Sequence, residues 1–382
     1  VSRAAEPVVR SQLVLASLGG IALAVIVGQF AQHTGTAAAQ GPSPDRVILV
    51  TLDGARAEEI FGGLDLDVLR STLGPKDRPE DQPVHRRFWA DTPDARRARL
   101  MPFFWNVLMR EHGSIAGNRA RGSHVALANR RRFSYPGYGE MLLGRALDDE
   151  ITSNDLKPSP RQTVLEYARA ALGLRADDVA LFASWDVFNG IGERTPGAVS
   201  INAGYEALAA PAESVSARLS AAQFETPSPW NSVRHDYYTF RLAMDHLERH
   251  RPKVLYLALG ETDDWAHDGR YDRVLETYAR TDAYLAELWR WLQAQPDYRG
   301  RTHLLLSTDH GRGHTVRDWK DHGEQVDGAE ITWMAFVSPS MSRRGEWRDH
   351  GGLQNAQVAA TLLHWLGLDP ARVDAGLAAP VR

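Results

Sequence analysis

Four short runs constrain this chain more than any other feature. Residues 47–52 (Val-Ile-Leu-Val-Thr-Leu), 179–183 (Val-Ala-Leu-Phe-Ala), 254–259 (Val-Leu-Tyr-Leu-Ala-Leu) and 304–308 (Leu-Leu-Leu-Ser-Thr) are apolar without polar alternation. That pattern belongs to strands buried on both faces, which occur in mostly parallel sheets covered by helices. Helical stretches fall between and after them, at 163–172, 235–249, 273–292 and 354–366. The alternation predicts an α/β fold, a three-layer α/β/α sandwich with a mostly parallel central sheet. Further strands are expected at 125–128 and 333–339, and a packed helix at 102–109, where core packing is expected of Phe104 and Trp105. A chain of 382 residues, 43% apolar and 24% charged, can bury such a core.

Three of the runs end in chemistry. Residue 52 is followed by Asp53-Gly54, residue 259 by Gly260-Glu261-Thr262-Asp263-Asp264-Trp265-Ala266-His267, and residue 308 by Asp309-His310-Gly311. Open α/β sheets place ligands beyond the carboxyl ends of their strands. Each end has a plain structural reading: Asp-Gly is a common turn, and Asp263 with His267 is the spacing of a surface ion pair. Three such ends in one chain point instead to a shared cluster. Asp321-His322-Gly323 follows a short loop after the third.

A fourth element is Arg132-Phe133-Ser134-Tyr135-Pro136-Gly137-Tyr138, where an extended stretch meets an apolar helical one that Gly144 ends. Ser134 suits a helix cap, the commoner role, and equally a nucleophile beside the positive end of a helix dipole. The arginines at 130–132 could draw in a phosphate or simply be solvated.

Without cysteine the chain has no disulfide, thiolate ligand or cysteine nucleophile. Carboxylates with histidines favour zinc or manganese over magnesium or calcium. Two such ions could hold the attacking and leaving oxygens of an in-line displacement, one of them activating Ser134. A net charge of −4 offers no basic face for nucleic acid.

With these motifs together, most of residues 46–368 resembles the alkaline phosphatase superfamily, nearest its nucleotide pyrophosphatase/phosphodiesterase branch. The resemblance implies one divalent metal held by Asp53, Asp309, His310 and Ser134, a second held by Asp263, His267 and His322, and a phosphate-binding Asn154. It implies a phosphoesterase acting through a phosphoserine on a small phosphate ester, with diesters favoured. The branch usually carries threonine where this chain has Ser134, and Asp-Asn shortly after its last histidine where this chain has Glu324-Gln325. His314 and His350 therefore compete with His322 as ligand. Sulfatases of the superfamily need Cys/Ser-x-Pro-x-Arg; Tyr138 stands in the arginine's place. The same scaffold also admits a phosphomutase or a non-catalytic metal-binding protein.

Residues 1–40 form a separate expectation. Arg3 and Arg10 precede an uncharged apolar run over 13–28, and Ala37-Ala38-Ala39-Gln40 follows. This is the layout of a signal peptide, which predicts a periplasmic or secreted protein; an uncleaved run would anchor it to a membrane. Residues 41–382 are expected to form one catalytic domain with surface insertions near 57–99, including a short helix at 94–99, and near 207–231.

Overall fold

The computed structural model describes residues 45–381, so the expected signal segment at 1–40 lies outside the described residues. Among the described residues there are ten strands: β1 Arg46–Leu52, β2 Gly113–Ala116, β3 Ser123–Ala126, β4 Val179–Ala183, β5 Ser200–Ala203, β6 Val254–Leu259, β7 Thr302–Ser307, β8 Met334–Val337, β9 Gly345–Glu346 and β10 His350–Gln354. Eight form the central sheet in the order β5-β4-β6-β1-β7-β8-β2-β9, while β10 and β3 pair separately. Only β8 runs against its neighbours in the large sheet. The central strands β6, β1 and β7 pair in parallel, Leu52 opposite Leu259 and Thr51 opposite Ser307. Their carboxyl ends therefore lie side by side.

Alternation along β1 makes the three layers. Ile48, Val50 and Leu52 enter one apolar core, Val47 and Leu49 the other, as the two-residue period of a strand dictates. The first core is closed by helices including Ala57–Gly62, Asp236–His250 and Tyr271–Ala294. The second is closed by Ser134–Leu143, Val164–Leu172 and Gln357–Trp365. Thr163 starts the second of these through a reciprocal capping box with Glu166. Phe104 and Trp105 pack in the first core, on a wide helix, Phe104–His112.

The 57–99 stretch is more structured than its sequence suggests. It contains four helices, Ala57–Gly62, Leu66–Ser71, Pro83–Phe88 and Pro93–Leu100, that insert Ile60, Leu69, Phe88 and Leu100 into the first core. Helices of six to eight residues are too short to display a 3.6-residue period, although Pro83 and Pro93 stand at the first-turn positions where proline is tolerated. The 207–231 region likewise contains a helix, Val215–Glu225. Among the described residues no helix is long and apolar enough to cross a membrane.

Candidate active site

The parallel ends of β1 and β7 bring Asp53 and Asp309 together, and His310 follows directly. His310 Nε2 lies 3.4 Å from Asp53 Oδ1, 3.4 Å from Asp309 Oδ2 and 3.8 Å from Asp263 Oδ1. One turn on from Asp263, His267 Nε2 lies 3.1 Å from its Oδ2 and 3.0 Å from His322 Nε2. His322 Nε2 is 3.9 Å from Asp263 Oδ1. Ligand atoms gather in two overlapping groups, Asp53-Asp309-His310 and Asp263-His310-His322, with His310 common to both. Seven residues named from sequence thus converge, counting Ser134. His314 does not join them, since it lies 3.2 Å from Asp327; His350 packs its ring against Trp347.

Each carboxylate has one oxygen fixed by the scaffold. Asp309 Oδ1 accepts the Gly54 N–H at 3.0 Å, and Asp53 Oδ2 accepts the Tyr138 hydroxyl at 3.0 Å. Asp263 Oδ1 accepts from the Arg312 guanidinium, which also donates to the Asp263 carbonyl. The remaining oxygens of the first two, Asp53 Oδ1 and Asp309 Oδ2, are buried without a hydrogen-bond donor. Buried carboxylate oxygens without donors are costly unless a cation meets them. His310 Nδ1 lies 2.9 Å from the Gly311 carbonyl. Donation there turns Nε2 toward the carboxylates, the orientation in which a metal-ligating histidine would offer that nitrogen to an ion. The donor set fits divalent metal ions.

The electrostatics point the same way. Burial and the Asp53 charge push Asp309 up to about 8. Burial opposes charge on His310, but Asp309 and Asp53 outweigh it and hold its pKa up to about 9. Burial, then the nearby His310 charge, lowers both His267 and His322. These groups contest protons where a divalent cation would satisfy them together.

Ser134 Oγ lies 3.4 Å from His310 Nε2. It is the first helical residue, with Phe133 at the cap position, so the expected capping bond is not made. Its helix sits backbone against backbone on the ligand turn: a Cβ added at Gly137 would stand 2.3 Å from the Asp309 carbonyl oxygen. Buried Glu140 accepts the Ala128, Asn129 and Ala356 N–H groups, fixing the loop before the serine. In that loop Arg132 has a left-handed φ of 54°, and its carbonyl lies 3.3 Å from His322 Nδ1. The three arginines already have partners: Arg130 pairs with Asp148, Arg131 donates to the Asp148 carbonyl, and Arg132 pairs with Glu330. Exposed Asn154 accepts the N–H of Tyr135, the residue after the serine, through Oδ1 at 2.9 Å.

Sequence reading passed over several supports. Tyr138, Arg312 and Glu140 act at long range or on backbone, with no motif of their own. Thr262 donates to the Asp53 carbonyl at 2.5 Å, and Asp236 accepts the Gly260 N–H at 2.8 Å, so both locate the Glu261–His267 helix. A polar residue at a helix start was the available signal for Asp236.

The α/β/α sandwich recurs in solved structures of low sequence identity. The phosphonate monoester hydrolase SpPMH from Silicibacter pomeroyi shares the fold, with 11% identity and a TM-score of 0.52 over 88% of this chain and 76% of that one. So does the lipoteichoic acid synthase LtaP from Listeria monocytogenes, with 9% identity and a TM-score of 0.50 over 85% and 72%. Residues 85–364 match the type I phosphodiesterase / nucleotide pyrophosphatase family, and the chain belongs to it. No curated protein matches it in sequence.

Proposed function

We propose that this protein is an exported two-metal phosphoesterase that cleaves small phosphate esters, diesters before monoesters, through a phosphoserine at Ser134. The observation that carries the reading is Ser134 Oγ at 3.4 Å from His310 in a cluster whose Asp53 and Asp309 each keep a buried, donor-free oxygen. Asp53, Asp309, His310 and Ser134 would hold one ion, and Asp263, His267 and His322 the other, zinc in preference to manganese. When bound, such ions supply Lewis acidity and stabilise oxyanions.

Ser134 attacks phosphorus from the first turn of its helix, where the positive end of the helix dipole favours the developing negative charge. The new Oγ–P bond forms as the bond to the leaving oxygen breaks, that oxygen keeps the electron pair, and the serine proton passes to solvent. Asn154 donates to a non-bridging oxygen. Water then cleaves the phosphoserine and restores the hydroxyl. The arginines at 130–132 are paired elsewhere and give no clamp for a dianionic monoester, which favours diesters. Tyr138 is held by Asp53 and leaves no arginine for sulfatase-type recognition.

The test compares aryl phosphate diesters, monoesters and aryl sulfates on wild type and Ser134→Ala. Diesters should be cleaved fastest, with turnover falling by about 1,000-fold or more in the variant. A sulfate cleaved faster than either phosphate, or undiminished Ser134→Ala turnover, overturns the reading. N-terminal sequencing of protein from its native host tests export; a retained 13–28 segment would mean an anchor.

A further inference from the structure

The three carboxylates of the cluster are fixed by donors of different charge. Asp53 is held by a neutral phenol and Asp309 by a neutral backbone amide. Asp263 alone is held by a guanidinium, and the oxygen engaged by Arg312 is Oδ1, which also faces His310 and His322. Arg312 is 2% exposed and is retained by the Lys320 carbonyl and the Asp263 carbonyl, so it has no path to swing into solvent. Its Nε has no partner, and a Cβ at Gly54 would stand 2.8 Å from that atom. The guanidinium is thus wedged against the turn that carries Asp53.

We propose that Arg312 is a positioning residue that makes the two ends of the cluster unequal toward divalent cations. The Asp53–Asp309 end binds first. The Asp263 end binds second and more weakly, because its carboxylate is already shared with a fixed positive charge. The reasoning is electrostatic: inside a protein a guanidinium beside a carboxylate neutralises part of the charge a metal would use, and it repels the metal directly. Neutral donors orient a ligand without either cost. This inference rests on the two-metal reading above.

The experiment titrates zinc alone into the metal-free full chain against a chromogenic chelator. Wild type should bind in two steps separated by at least about tenfold. Arg312→Met should tighten the second step by about 10- to 100-fold and leave the first unchanged. Asp263→Asn should lose the weaker step only, and this serves if Arg312→Met does not fold. Equal steps in wild type, an unchanged or weakened second step in Arg312→Met, or loss of the tighter step in Asp263→Asn would overturn the inference. Undiminished turnover by Ser134→Ala would instead sink the hydrolytic reading and leave the titration as it stands.

Discussion

Asp53 and Asp309 follow adjacent parallel strands of one sheet, whereas Asp263 and His267 stand on a seven-residue helix and His322 on a loop. The Asp309 side chain is 0% exposed and that of His267 is 46% exposed. One end of the cluster is therefore set by β-ladder register and is difficult to move without unfolding the sheet. The other is set by a short helix that Asp236 and Thr262 hold in place. The two ends thus differ in what fixes them, β-ladder pairing at one and side-chain hydrogen bonds to a short helix at the other.

The broadest attempt to break that contrast is a pair of ligand deletions. Asp309→Ala should lower phosphoester turnover by about 1,000-fold or more, and His267→Ala by about 10- to 100-fold. Steady-state kinetics at saturating zinc would decide; a His267→Ala defect as deep as that of Asp309→Ala would erase the distinction. A finer probe is Tyr138→Phe, which removes one hydroxyl and keeps the ring. It should weaken zinc at the sheet-built end by about 10-fold, with the helix-built end untouched. Chelator competition reads both, and unaltered affinity would show that Asp53 does not depend on Tyr138.

The smallest effect separates site from scaffold. His246 is buried, lies 3.0 Å from the Asp177 carbonyl, and burial lowers its pKa to about 4. A base depressed in the folded state contributes stability that is present above its unfolded pKa of about 6.5 and is lost as pH falls toward 4. Urea unfolding should lose about 2 kcal/mol from this group between about pH 7.5 and about pH 5. His246→Gln should flatten that part of the profile, whereas a site variant that removes no titrating group in this range, such as Ser134→Ala, should not.

These contrasts also explain how much of the molecule is legible in its sequence. Buried parallel strands must be continuously apolar, so 47–52, 254–259 and 304–308 declare themselves, and the acids that end them mark the cluster. Asp263 and His267 are legible because four residues make one turn. The reversed direction of β8 is not legible, since an apolar run of four carries no sign of its sense. Nor are the contacts of Arg312 with Asp263 or Tyr138 with Asp53, which span 49 and 85 residues. Ser134 falls at a helix start as its sequence predicts, yet one position inside the cap, a difference that pattern cannot resolve.

The absence of a side chain at Gly137 has a further consequence. The helix bearing Ser134 rests on the Asp309 carbonyl, main chain on main chain, so the gap between that helix and the turn of Asp309 is a property of the backbone. No interposed rotamer can lengthen or shorten it. Drift in the ligand residues can retune which ion is held, or how tightly, while the serine keeps its station. The Ser134 backbone is thereby insulated from much of that drift.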